Sequence, residues 1–122
     1  MAEQIEAAAL VEAVAAFLKS IEGSLGGAQG FHAKVAGNAL AIAARELALQ
    51  PQAAEAAALG GFLAHEAGID ALRAELCGRL RRGQLTPETP GLAEALTAAV
   101  LAKVAVDNPR YSTFVRMGGQ GV

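Results

Sequence analysis

Alanine makes up about a quarter of this 122-residue chain, and the larger apolar residues recur at spacings of three and four. Alanine is the best helix former and has little side chain to bury. No segment alternates apolar and polar residues as a half-buried strand does. The sequence therefore predicts an all-α fold, a single-domain bundle of four to five mostly antiparallel helices joined by short loops.

Local end signals divide the chain into five predicted helices. The first ends in the glycine-rich segment 23–30. The second runs from the end of that segment to the residue before Pro51, because a residue that precedes proline avoids the α conformation. The other three are predicted over 51–68, 70–83 and 90–108, each bounded by proline, glycine or a capping residue.

The helical domain is expected to occupy residues 1–110. Residues 111–122 contain too much glycine and too few apolar side chains to pack firmly, so they are predicted to form a flexible C-terminal tail. The second helix is predicted to be central, with a main apolar face of Phe31, Val35, Ala39, Ile42 and Leu49. The first helix is expected to face the core with Leu10, Val11, Val14, Phe17, Leu18, Ile21 and Leu25.

Charge and composition narrow the class of protein. The net charge is −2 and only 18% of residues are charged, which favours association with another subunit or protein. A nucleic-acid-binding domain usually has an excess of Lys and Arg, which this chain lacks. No apolar run approaches the length of a membrane span. Neither a nucleic acid nor a membrane is therefore expected as a partner.

Cys77 is the single cysteine, which excludes an internal disulfide. The N-terminus lacks the basic region of a secretory signal, so a cytoplasmic protein is predicted.

The candidate binding site begins at the start of the second helix. His32 and Lys34 follow the glycine-rich segment, where unpaired backbone N–H groups and the helix dipole attract anions. At 100° per residue, Asn38 and Arg45 lie on nearly the same line of the helix. These four side chains would suit a phosphate, a carboxylate or the phosphates of a CoA ester.

Two residues after the fifth helix, Arg110 and Tyr111, are candidates to fold back and cover this site. The competing interpretation is a structural polar network, because an amide buried without a partner costs roughly 1–3 kcal/mol. The predicted members of that network are Asn38, Arg45, Glu46 and Asn108.

The sequence contains no recognisable catalytic or metal-binding pattern. His32 and His65 do not form an H-x-x-x-H pair, and the Glu-x-x-His signature of di-iron bundles is missing. The serines and Cys77 lack a nucleophile elbow or a paired base. We therefore predict no metal, no cofactor and no catalytic residue.

Three segments, 31–47, 72–77 and 101–111, resemble an uncharacterised bacterial family of all-helical domains of unknown function. Genes of that family often lie near those of aminoglycoside-phosphotransferase-like kinases and acyl-CoA dehydrogenases. The resemblance therefore implies an accessory role beside such a partner in acyl-CoA or related catabolism. The chain departs from the family pattern at Lys34, where arginine is usual, and at 26–30, where a more charged segment is usual. The family motif maps onto Phe31, His32, Lys34, Val35, Asn38, Arg45, Glu46, Asn108, Pro109, Arg110 and Tyr111.

The predicted function is that of a non-catalytic accessory or interaction module. It would act as a homo-oligomer or beside a phosphotransferase-like kinase or an acyl-CoA dehydrogenase. The alternative is a small-molecule binding protein or enzyme whose anion site is formed by His32, Lys34, Asn38 and Arg45. The alternative requires these side chains to converge on one open cleft. In the interaction-module hypothesis they can instead form hydrogen bonds within the protein.

Overall fold

The computed structural model describes residues 6–118, which form six α-helices and no strand, so the predicted all-α class is confirmed. The helices are α1 (Ala7–Glu22), α2 (Gly27–Leu49), α3 (Pro51–Leu63), α4 (Ile69–Arg81), α5 (Leu92–Asp107) and α6 (Ser112–Arg116). The number of helices in the described residues exceeds the predicted four to five, because the short α6 follows the five helices that periodicity indicates. None of the described helices has the length and apolar content needed to cross a membrane.

The start of α5 differs from the prediction. The pair Thr89-Pro90 predicts a helix capped by Thr89 that begins at Pro90, but α5 begins at Leu92, behind Gly91 with a φ of 86°. The Thr89 hydroxyl instead accepts a hydrogen bond from the backbone N–H of Thr86 at 2.8 Å. Thr89 therefore closes the preceding turn, and glycine provides the left-handed conformation from which the helix begins.

The helices belong to two compact units, of which the first ends at Leu49 and the second begins at Gln50. In the first unit, α1 packs against α2 as a helical hairpin connected by residues 23–26. In the second unit, α3 packs against both α4 and α5, and α6 packs against α5. The predicted domain boundary at residue 110 stays a prediction.

On α2, small residues form the contact with α1. A Cβ atom built on Gly37 would lie 3.7 Å from Leu18 Cβ and 3.8 Å from the carbonyl oxygen of Ala15, so the two helices approach closely there. Ala33 and Ala44, the buried residues of α2, share the helix face of Gly37. A contact made by such small side chains buries little apolar area.

The larger apolar side chains of the hairpin lie away from this contact, in two stripes. The α1 stripe is Leu10, Val14 and Phe17, and the α2 stripe is Phe31, Val35, Ile42 and Leu49. The α1 stripe is 49–59% exposed and the α2 stripe 38–65% exposed. The expectation that both stripes line a core is therefore wrong. The reason is that α1 and α2 meet through other faces, that of Ala15 and Leu18 on α1 and that of Gly37 on α2.

The leucine core lies in the second unit. Leu72 and Leu76, four residues apart on α4, are both buried, as their helical spacing predicts. Leu85 joins them from the loop between α4 and α5, which ties that loop to the helices. The complete buried cluster is Leu59, Leu63, Leu72, Leu76, Leu85 and Leu92.

The segment after residue 110 contains α6, whose Phe114 is buried. Pro109 is also buried, whereas Tyr111 is half exposed and precedes the helix as its N-cap residue. The predicted flexible tail is thus helical over 112–116, and the aromatic ring that packs is Phe114. The last part of the predicted tail, residues 119–122, lies outside the described residues.

Candidate functional site

The four candidate residues of α2 do not share one face of the helix. Stepping 100° per residue puts Lys34, Asn38 and Arg45 within about 40° of one line, and His32 about 120–160° away from them. Lys34, Asn38 and His32 are exposed, and Arg45 is partly buried. The helix therefore unites three of these side chains, which we name the polar row (Lys34, Asn38 and Arg45), and separates His32 from them.

The other candidates, Arg110 and Tyr111, are exposed residues of the second unit. They lie in a tight turn. The Asn108 N–H donates to the Val104 carbonyl at 2.8 Å, and the Asn108 carbonyl accepts from the Tyr111 N–H at 3.0 Å. The covered ligand site therefore stays a prediction, and so does the network of Asn38, Arg45, Glu46 and Asn108.

Lys34 lines an open depression of about 420 Å³ at the start of α2. Of the polar row, Lys34 alone belongs to its described lining, together with Glu22, Leu25, Gly30 and Phe31. The lining thus combines one acidic and one basic side chain. For this reason the depression does not present the convergent positive charge that a phosphate or carboxylate site needs.

An ionic cluster lies on the second unit, between the end of α3 and α4. His65 Nε2 is 2.7 Å from Glu75 Oε1, and Arg79 Nη2 is 2.9 Å from Glu75 Oε2. His65 Nδ1 is 3.4 Å from the carbonyl oxygen of Glu66. The Glu75 carboxylate therefore bridges two basic side chains, and a protonated imidazole has an acceptor for each ring nitrogen.

The end of α3 places His65 at this cluster. Ala64 has a left-handed φ of 64°, and the His65 N–H donates to the Gly60 carbonyl at 3.1 Å, as in a Schellman helix end. A Cβ atom on Gly60 would lie only 3.0 Å from the His65 carbonyl oxygen. Glycine at position 60 thus permits the close return of the chain that brings the imidazole to Glu75.

A second ion pair joins α3 to α4. Arg73 donates from Nε and Nη2 to the two carboxylate oxygens of Glu55, with 2.8 Å between Nε and Oε2. This hydrogen bond lowers the pKa of Glu55 below its ordinary value, although partial burial of the carboxylate opposes the shift. Both ionic contacts therefore connect the α3 region with α4 at the edge of the leucine core that packs these elements together.

An open cavity of about 680 Å³ borders His65, lined by Glu66 and by alanine and glycine from α3 and the loop that follows it. The hydrogen bond to Glu75 raises the pKa of His65, and the Glu66 carbonyl adds to the effect. Both ring nitrogens of His65 thus lie at hydrogen-bonding distance from oxygen atoms of the protein, which directs the imidazole at the protein itself. Within residues 6–118, no three His, Cys, Asp or Glu side chains are grouped as metal ligands. The cluster is therefore suited to a structural role.

We expect Glu75→Gln to lower the pKa of His65 towards its ordinary value and to flatten the dependence of stability on pH. In the wild type the folded pKa of His65 lies above the unfolded value. Its stabilising contribution is therefore fully present below the unfolded pKa, about 6.5, and is lost as the pH rises through the folded pKa. Titration of the histidine ring protons by NMR, with urea unfolding at the same pH values, measures both effects.

The matched control is Glu66→Gln, because Glu66 contacts the imidazole through its backbone carbonyl alone. This variant should leave the pKa of His65 nearly unchanged. The chain has two histidines, so His65→Gln assigns the two resonances. An equal pKa of His65 in the wild type and in Glu75→Gln would contradict the assignment of Glu75 as the main cause.

Sequence reasoning considered His65 only as a metal ligand and missed its pairing with Glu75. The i,i+4 spacing of Glu75 and Arg79 is a recognisable signal for an ion pair on a helix. The contact between His65 and Glu75 depends on the left-handed conformation of Ala64, and alanine carries no sequence signal for that conformation.

Comparison with known proteins adds a family match. A family model described as a domain of unknown function (DUF6285) matches residues 23–111. The matched segment begins after α1 and ends before α6, so it includes the α2 stripe and the helices α3, α4 and α5. No curated protein and no solved structure matches the chain.

Proposed function

The chain belongs to the DUF6285 family of domains of unknown function, and we propose that it acts as a non-catalytic interaction module. The observation that carries this proposal is the α2 stripe. It consists of four apolar side chains that stay exposed on one face of a helix within the family match. A row of large exposed apolar side chains on one helix face is characteristic of a surface that another protein covers.

The α2 stripe has the dimensions of a helix-binding surface. From Phe31 to Leu49 it extends over about 27 Å at 1.5 Å per residue. Complete burial of one such side chain contributes roughly 1.5–3 kcal/mol relative to exposure. Four of them at helical spacing can therefore provide much of the free energy of a protein–protein contact.

The polar row supports the same function. Lys34, Asn38 and Arg45 lie along one edge of the α2 stripe, where an interface normally has its polar rim. Charged groups at the rim orient a partner and accelerate association more than they add affinity. In this arrangement the polar row contributes to recognition of a protein surface and does not require a small ligand.

The ionisable groups of the second unit also favour a non-catalytic role. His65 pairs with Glu75, and Arg73 pairs with Glu55. A general acid or base needs a proton-transfer position directed at a substrate, whereas these groups are directed at each other across helix contacts.

The class of partner is proposed from the family resemblance. We expect a cytoplasmic enzyme, either an acyl-CoA dehydrogenase or a kinase similar to aminoglycoside phosphotransferases, whose gene lies beside that of the module. The module would then act as an accessory protein of that enzyme through the α2 stripe.

Binding to the purified neighbouring enzymes tests this proposal. Ile42→Glu introduces a charge into the α2 stripe and is expected to weaken binding at least about tenfold, which corresponds to 1.4 kcal/mol. Leu47→Glu is the matched control, because Leu47 is also exposed on α2 but lies about 140° from Ile42 around the helix. Circular dichroism should show equal helix content for both variants. If neither enzyme binds, or if both variants bind as the wild type does, the proposal is wrong.

The second candidate function is the anion site of His32, Lys34, Asn38 and Arg45, which the grouping of the polar row favours. A thermal-shift series with inorganic phosphate, acetate and a CoA ester tests it against Lys34→Ala. A ligand at a hundredfold excess over its dissociation constant stabilises the folded state by about 2.7 kcal/mol. A shift that disappears in Lys34→Ala would favour this function over the interaction module.

A further inference from the structure

We propose that two copies of the chain associate through the α1 stripe, with the two α1 helices antiparallel about a two-fold axis level with Ala15 and Ala16. Leu10, Val14 and Phe17 are exposed, and the half-buried Ile21 extends the stripe at the same helical spacing. This association concerns a surface other than the α2 stripe and goes beyond the module's proposed contact with an enzyme.

The spacing of the α1 residues is self-complementary. Leu10, Val14, Phe17 and Ile21 follow one another at intervals of four, three and four, which read the same in both directions. These intervals are those of a coiled-coil seam. In an antiparallel pair, Leu10 lies opposite Ile21 of the second copy, and Val14 lies opposite Phe17.

The charge pattern of α1 favours a second copy. Four residues beside the seam are uncharged, namely Val11, Ala13, Leu18 and Ser20. Glu6, which precedes α1 as its N-cap residue, also flanks the seam, and the antiparallel pair places it level with Leu25 of the second copy. The charged Glu12 and Lys19 lie about 170° from the centre of the stripe at 100° per residue. Two copies therefore meet without opposed like charges, since the two Glu6 side chains lie at opposite ends of the pair.

The charge pattern of α2 disfavours a second copy. Along one edge of the α2 stripe, Asn38 and Arg45 alternate with Val35, Ile42 and Leu49. A parallel pair would place the two Arg45 side chains opposite each other. An antiparallel pair centred on residue 40 would place Lys34 beside Arg45 of the second copy. Like charges at such positions oppose association, which distinguishes α1 as the surface for self-association.

The two surfaces also differ in their relation to the family. The α1 helix, Ala7–Glu22, precedes the segment matched by the family model, residues 23–111, whereas the α2 stripe lies inside that segment. We therefore assign self-association through α1 to this chain alone. The α2 stripe, in contrast, lies on a helix that the family match includes.

Sedimentation equilibrium between about 1 and 100 μM tests the dimer. The wild type is expected to show a monomer–dimer equilibrium or a dimer. Phe17→Glu should raise the dissociation constant at least about 100-fold, because both copies lose a phenyl ring from the seam. Ala16→Glu is the matched control, since Ala16 is exposed on the same helix but faces away from the stripe, and it should leave the dissociation constant unchanged. Equal circular dichroism spectra establish that the variants are folded.

Disulfide trapping tests the antiparallel orientation. In a Cys77→Ser background, Leu10→Cys protein is mixed with Ile21→Cys protein of different mass and oxidised. The antiparallel pair predicts the mixed disulfide. Two copies of position 10 would lie about 17 Å apart along the axis, beyond the reach of a disulfide. Disulfides formed only between like residues would overturn the proposal.

A wild type that sediments as a monomer at 100 μM, or a Phe17→Glu variant that dimerises as the wild type does, would also overturn it. The enzyme-binding experiment tests the α2 stripe and the sedimentation experiment tests the α1 stripe. Failure of the proposed dimer can therefore be distinguished from failure of the proposed enzyme contact. A monomer that binds the enzyme refutes the dimer alone, and a dimer that binds no enzyme refutes the proposed partner alone.

Discussion

Leu72→Ala is expected to lower the free energy of unfolding of the second unit by about 2–5 kcal/mol. The Leu72 side chain is 1% exposed and belongs to the buried cluster that also contains Leu59, Leu63 and Leu76. Its truncation removes the transfer free energy of three carbon atoms and leaves a cavity, because the surrounding leucines relax only in part. Small domains have a total stability of about 5–15 kcal/mol, so this loss is a large fraction. Urea unfolding followed by circular dichroism measures it.

The control is Leu80→Ala on the same helix. Leu80 is 39% exposed, so its truncation opens no closed cavity, and alanine slightly favours the helix. We expect a change below about 1 kcal/mol. Amide hydrogen exchange should locate the effect of Leu72→Ala in α3, α4 and α5. Equal losses in the two variants would contradict the placement of the core around Leu72.

Gly30→Ala is expected to destabilise the α1–α2 hairpin by about 1–3 kcal/mol. The added Cβ atom would lie 2.6 Å from the carbonyl oxygen of Leu25 and 3.3 Å from that of Glu22. Both oxygens belong to the backbone at the end of α1 and its turn, so the chain itself has to move to relieve the overlap. The helix propensity of alanine, worth up to about 1 kcal/mol over glycine, offsets only part of this cost. Hydrogen exchange of α1 and α2, together with urea unfolding, measures the loss.

Gly26→Ala is the matched control for this turn. No atom lies within 4 Å of a Cβ built on Gly26, and its φ is not positive. Alanine there is expected to be neutral or to stabilise by about 0.4–1 kcal/mol, because it restricts the unfolded chain. If Gly30→Ala and Gly26→Ala have the same stability, the close approach at Gly30 does not determine the turn.

The structure explains why glycine occurs at two positions of the glycine-rich segment 23–30. Gly27 has a φ of 54°, in the left-handed region that favours glycine, and Gly30 permits the close approach to Leu25. The sequence predicts an anion site directly after this segment. Neither the φ at one position nor a contact with a carbonyl five residues earlier can be read from composition.

In the candidate site too, some features follow from the sequence and others only from the structure. Helical spacing alone places Asn38 and Arg45 on one line and also shows that His32 faces another direction from Lys34. The pairing of His65 with Glu75 could not be predicted, because it joins residues ten positions apart across a turn set by Ala64.

The sequence by itself determined the all-helical class and the approximate limits of five helices. These depend on local signals, namely apolar periodicity, proline and glycine. Tertiary structure alone decided which apolar faces are buried. The leucines of the second unit pack against one another, whereas the α1 and α2 stripes remain exposed because the two helices meet through other faces. These are the face of Ala15 and Leu18 on α1 and that of Ala33, Gly37 and Ala44 on α2. Periodicity shows where an apolar face lies on a helix, but what covers that face depends on distant parts of the chain or on another molecule.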